Sequence, residues 1–110
     1  MGMDQKNKMS KYFLHGKLTA KNGQAQILTS ILLEASKMVS TAKGCKFYFI
    51  SRDKNDENSV WVTEIWDSKE DHDNSLKTEA VRELISRAIP IIEGQPQMGQ
   101  ELEVLGGKGI

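Results

Sequence analysis

Trp61-Val62-Thr63-Glu64-Ile65-Trp66-Asp67-Ser68-Lys69-Glu70-Asp71-His72 decides how this chain reads. Val60 to Trp66 is rich in β-branched and aromatic residues, which suits a strand. Asp67 or Ser68 can then cap a helix, because a side-chain oxygen there accepts the free N–H groups of the first turn. Glu70 and Asp71 each follow one of these candidates at the three-residue spacing of a capping box. The stretch therefore predicts a strand running straight into a helix. Two tryptophans, a glutamate and a histidine crowd the junction, and such a junction often borders a pocket.

Working outward, the polar run Arg52 to Asn58 predicts an exposed hairpin loop, with Cys45 to Ser51 as the preceding strand. Phe47 to Ile50 is continuously apolar, which predicts a strand covered on both faces. Before it, Ile27, Leu28, Ile31, Leu32, Ala35, Met38, Val39 and Ala42 recur at three- and four-residue steps. That stripe predicts a helix from about Gly23 to Lys43, with Gly44 ending it. Lys11 to Ala20 alternates as a strand, with Tyr12, Leu14, Gly16 and Leu18 on one face and Phe13, His15 and Lys17 on the other. After the junction, a second helix spans roughly Ser68 to Ile89, with Leu76, Ala80, Val81, Leu84, Ile85 and Ala88 as its buried stripe. Thr78 is placed to cap a second half of it. Gln100 to Leu105 makes the last strand.

The order is βαββαβ, so the expected fold is α+β and ferredoxin-like: a four-stranded antiparallel sheet with two helices on one face. Residues 1–10 read as a disordered N-terminal arm and 11–108 as one domain. The helices cover a single sheet face, yet neither face looks polar. A large bare apolar face normally meets a partner, and a second copy of the chain is the economical one.

Composition narrows the function classes. The 110 residues carry 15 basic and 15 acidic side chains. A balanced chain has no electrostatic footprint for nucleic acid or an anionic membrane. No apolar run approaches the roughly 20 residues that cross a bilayer. Cys45 is the only cysteine, so an intramolecular disulfide is impossible and a reducing cytoplasm fits. No metal-ligand spacing and no nucleophile elbow occurs. Gly106-Gly107-Lys108-Gly109 lacks the strand–loop–helix context of a phosphate loop.

Three features together resemble the antibiotic biosynthesis monooxygenase domain of the dimeric α+β barrel superfamily. They are the opening strand Tyr12-Phe13-Leu14-His15-Gly16-Lys17-Leu18 with its amphipathic helix, the Glu-x-Trp of Thr63-Glu64-Ile65-Trp66, and the following helix with His72, Ser75 and Leu76 before Glu101-Leu102-Glu103-Val104-Leu105. The resemblance implies a homodimeric barrel and a cofactor-free oxygenase acting on a quinol or other electron-rich phenol. Many members place a histidine nine residues after the Glu-x-Trp tryptophan. Here Ser75 holds that position, and His72 lies three residues earlier on the same helix face.

His72 is the candidate base, since imidazole exchanges its proton near neutrality; the alternative is a solvated histidine beside Asp71 and Asp73. Trp66, Tyr48, Glu64 and His15 are candidate ligand-binding residues; the alternative is core packing for Trp66 and Tyr48, a structural bridge across a dimer for Glu64, and a hydrogen-bonded interface or core imidazole for His15. Trp61 and Trp66 differ by five positions and so face opposite sides of the sheet. Two rival functions remain: a non-catalytic dimer that binds a small ligand or acts in a stress response, and a heme-binding or heme-degrading protein using His72 or His15.

Overall fold

The computed structural model describes residues 10–94 and 99–110. Most of the segment read as a disordered arm, residues 1–9, lies outside the described residues. Four strands and three helices follow in order: β1 (Lys11–Thr19), α1 (Ala25–Val39), β2 (Cys45–Arg52), β3 (Ser59–Trp66), α2 (Lys69–Ser75), α3 (Glu79–Ala88), a 3₁₀ turn at Ile89–Ile91 and β4 (Gln100–Val104). The sheet order is β2-β3-β1-β4, with every neighbouring pair antiparallel. This is the ferredoxin-like α+β fold expected from the sequence.

Three local features refine the sequence reading, each for a physical reason. First, α1 ends at Val39, and turns carry the chain to Gly44 at φ +82°. The Asp71 side chain occupies the space where a Cβ at Gly44 would stand. Gly44 O also accepts the Asp67 N–H at 2.8 Å. A glycine is thus required on both counts, conformation and room. Second, the second helix breaks in two. Ser68 caps α2 by accepting the Asp71 N–H at 3.1 Å, and Thr78 caps α3 by accepting the Val81 N–H at 3.4 Å. Third, the register shifts between Cys45 and Phe47. That bulge turns Cys45 inward, where it packs with Trp66, Val39 and Val81.

The core lies between the sheet and the helices. Leu28, Ile31, Leu32 and Ala35 of α1 meet Val60 of β3 and Leu84 and Ala88 of α3. Trp66, fully buried, anchors a second cluster with Val39, Val81 and Tyr12. Some expected core residues lie outside it. Ile27 and Met38 flank the buried stripe of α1 and are exposed, and Ala80 on α3 is exposed too. The opposite sheet face has no covering element. Pairing aligns Phe13, His15 and Lys17 of β1 with Ile65, Thr63 and Trp61 of β3 there, flanked by Phe47, Phe49 and Leu102. Phe49 and Leu102 are 50% and 54% exposed. The run expected to be covered on both faces is covered on one within a single chain. No described helix is long and apolar enough to cross a membrane.

Candidate functional site

Strand β3 sits in the middle of the sheet and presents Val60, Val62, Glu64 and Trp66 toward the helices. Its neighbours in register put Tyr48 of β2 and Leu14 of β1 on either side of Glu64. Above them α1 and α3 do not close completely, and a cavity of about 340 Å³ remains. Ile31, Leu32 and Ala35 line one wall, and Val81, Leu84 and Ala88 another. Leu76, Ile85 and Ile89 also line it and are partly exposed, so they form its rim. The break between α2 and α3 opens this rim. Polar side chains on the lining come from Tyr48, Glu64 and Ser75.

Glu64 is buried, which is costly for a carboxylate unless it is paired or protonated. Its Oε1 accepts a hydrogen bond from Trp66 Nε1 at 2.9 Å and lies 3.7 Å from His72 Nε2. Burial raises its pKa, and the Trp66 hydrogen bond and the His72 charge pull partly the other way. Tyr48 is also raised, first by burial and then by the Glu64 charge. Tyr48 therefore remains a protonated donor at neutral pH. Ser75 Oγ donates back to the His72 carbonyl at 2.6 Å, which ties its hydroxyl to the helix.

His72 is neither solvated nor on the cavity lining. It is buried, with its ring 5.4 Å from Tyr12 and edge-on to Trp66 at 5.8 Å. Nδ1 is 2.9 Å from Asp73 Oδ1, and Nε2 faces Glu64. Trp66 holds Glu64 rather than forming an aromatic wall; among the described residues Tyr48 is the one aromatic side chain lining the cavity. Glu64 is thus held by partners within its own chain. His15 lies on the bare sheet face. It stacks on Trp61 at 4.7 Å and shares a hydrogen bond with Thr63 Oγ1 at 2.9 Å. Of the five candidates, the fold brings Tyr48, Glu64, Trp66 and His72 together and leaves His15 on the other side of the sheet. Of the two carboxylates that flank His72 in sequence, Asp73 is the one that pairs with it, and the ring is buried where a solvated one was the alternative.

A family model for antibiotic biosynthesis monooxygenase matches residues 11–87. The chain belongs to the antibiotic biosynthesis monooxygenase family. A provisionally assigned antibiotic biosynthesis monooxygenase from Chloroflexus aurantiacus is 36% identical, covering 91% of this chain and 98% of its own, with a TM-score of 0.79. Another provisional assignment, from Deinococcus radiodurans, is 21% identical over 90% of this chain and 95% of its own, with a TM-score of 0.72. A conserved Bacteroides thetaiotaomicron protein described as a possible oxidoreductase shares 14% identity over 87% of this chain and 99% of its own, at a TM-score of 0.77. The last two speak for the fold alone. No curated protein matches the chain at a significant level. Within this monooxygenase-family fold, Ser75 lines the cavity at the position where the sequence resemblance implied a histidine.

Proposed function

We propose that this chain is a small cofactor-independent monooxygenase of a quinol or another electron-rich phenol, working as a homodimer. The observation that carries the reading is Glu64: a buried carboxylate, raised in pKa, on the lining of a largely apolar cavity in a monooxygenase-family fold. The cavity size lies at the small end for small-molecule sites. Its aliphatic walls suit a flat, compact ring with few polar groups.

The chemistry asks little of the protein. Glu64 takes the phenolic proton, and its raised pKa makes it a stronger base for that task. Tyr48 donates a hydrogen bond to the phenolate oxygen. The electron-rich anion passes electrons to dioxygen, the new C–O bond forms on a ring carbon, and that carbon's C–H bond breaks as the O–O bond cleaves. One oxygen atom stays in the product and the other leaves as water. A hydroquinone that becomes a hydroxyquinone supplies all four electrons, so no external reductant is needed.

The bare sheet face supports the homodimer, since monomers rarely expose a contiguous apolar patch of this kind. The rival reading of a non-catalytic ligand binder shares the cavity and differs in turnover. Oxygen uptake with a panel of hydroquinones, without added cofactor, separates the two. Glu64→Gln should lower kcat by roughly 10²- to 10⁴-fold, the usual contribution of a positioned base. Folded protein that consumes no oxygen with any member of the panel would sink the oxygenase reading.

A further inference from the structure

We infer that His72 and Asp73 form a proton store behind Glu64, receiving the substrate proton during oxygenation and returning it for the departure of water. The inference rests on the oxygenase reading for its substrate, but not for its geometry. Three carboxylate and imidazole groups lie in a row from the cavity to the surface. Glu64 is on the lining, His72 is buried behind it, and Asp73 is on the solvent side with its side chain 46% exposed.

The hydrogen-bond directions set the tautomer. Asp73 is held ionised, its pKa lowered first by the hydrogen bond from His72. A carboxylate accepts only, so Nδ1 carries the hydrogen and donates it. Nε2 then presents a lone pair toward Glu64. At 3.7 Å the Glu64–His72 contact is longer than a hydrogen bond. Such contacts commonly tighten when substrate binds.

The proton balance is complete. The phenolic O–H breaks and its proton passes to Glu64, then to Nε2. The imidazolium sits between two carboxylates while the phenolate reacts with dioxygen. The same proton returns through Glu64 to the outer oxygen of the ring-bound peroxide; the ring C–H at the new C–O bond then breaks as the O–O bond cleaves, and its hydrogen completes the water. No net proton enters or leaves, as the overall reaction of hydroquinone and dioxygen to hydroxyquinone and water requires. With the proton on the imidazole, its positive charge faces the regenerated Glu64 carboxylate and offsets the repulsion between that carboxylate and the phenolate.

Other groups around His72 are already engaged. Tyr12 of β1 turns its hydroxyl away to donate to Glu101 of β4 at 2.6 Å. Lys69, one turn earlier on α2, bridges Asp73 at 3.7 Å and Glu101 at 3.3 Å. Asp71 pairs with Lys43 at 3.9 Å. From β2, Tyr48 and Cys45 bear on Glu64, and burial raises both. Glu64 and Asp73 are therefore the two carboxylates that bear directly on the ring.

The test is ¹⁵N NMR of the His72 imidazole in wild type, Glu64→Gln and Asp73→Asn, read for which ring nitrogen carries the hydrogen. Gln is isosteric and still accepts from Trp66, so the fold survives. In wild type the ¹⁵N shifts should place the hydrogen on Nδ1, as the 2.9 Å contact with Asp73 requires. Glu64→Gln should keep that tautomer, and Asp73→Asn should lose the preference for it. A wild-type imidazole with its hydrogen on Nε2 overturns the store, whether or not the protein consumes oxygen. In oxygen uptake with hydroquinone, His72→Gln should lower kcat about 10- to 100-fold at unchanged KM and move the pH profile. A variant with wild-type kcat and profile also overturns the proposal. An Nδ1–H imidazole in a wild-type protein that oxidises no quinol would overturn the oxygenase reading and the store's role with it, leaving the His72–Asp73 hydrogen bond as a structural one.

Discussion

On the helix side of the sheet, Trp66, Val60 and Leu28 are buried completely or nearly so, and a carboxylate is sealed in among them. On the other side, Phe47, Phe49 and Leu102 stand largely open, and the polar contacts are the modest His15–Thr63 and Trp61–Asp53 pairs. The two faces draw on the same four strands and a similar share of aromatic residues. The covered face is stabilised by packing within one chain and tolerates a buried charge because Trp66 and His72 are fixed around it. The bare face has no such internal partners, so its apolar surface is available to a second molecule. One face is suited to chemistry and the other to assembly.

The largest effect expected from breaking this division is Trp66→Ala. It should destabilise the fold by about 3–5 kcal/mol in urea melts, the range for deleting a large buried aromatic. It also removes the donor that fixes Glu64, so activity should fall even in the folded fraction. A loss below about 1 kcal/mol would mean that the helix-side core does not depend on this ring.

Phe49→Asp probes the other face. Sedimentation of wild type at micromolar concentration should give about twice the 12.3 kDa chain mass. The variant should sediment as a monomer, because an unpaired charge buried at an interface costs several kcal/mol. Its secondary structure should be intact, since Phe49 is half exposed in the single chain. A monomeric wild type would remove the assembly role of this face.

Glu64→Gln sharpens the contrast through pH. Burial lifts the folded pKa of Glu64 above its unfolded value of about 4.3. The folded chain therefore binds this proton more tightly than the unfolded chain does. Its carboxylate form costs stability once pH rises through the folded pKa, and the cost disappears below the unfolded pKa. Glu64→Gln should melt higher than wild type at pH 8, with the gain fading toward pH 4. The reverse trend would mean that the carboxylate is better paired than its burial indicates. The smallest expected effect is His15→Ala, which should leave quinol-dependent oxygen uptake within about twofold, because its ring stacks on Trp61 across the sheet from the cavity.

Much of the fold was legible because its signals are local. Alternation set the strands, the stripe of Leu28, Ile31, Leu32 and Ala35 set α1, and Ser68 and Thr78 announced the starts of α2 and α3. Trp61 and Trp66 were separable by parity alone. The site was legible only in part. That Glu64 and Trp66 share a face follows from a two-residue step, but that the indole donates to the carboxylate depends on rotamers. His72 is buried because the turn at Gly44 and the Ser68 cap draw α2 onto Tyr12 and Trp66, a tertiary outcome that no window of sequence contains. The bulge at Cys45 was equally hidden, because a single inserted residue leaves no trace in an apolar run.

The position of the cavity rim has a kinetic consequence. Leu76, Ile85 and Ile89 open toward solvent on the helix side, with the whole sheet between them and the bare face. In a dimer joined through that face, two sheets would separate the two cavities, and each mouth would point outward. Substrate loading in one subunit would then neither obstruct nor strain the other. Initial rates should follow a hyperbola in substrate concentration with a Hill coefficient of about one, because allosteric coupling needs a bistable element that both sites bias.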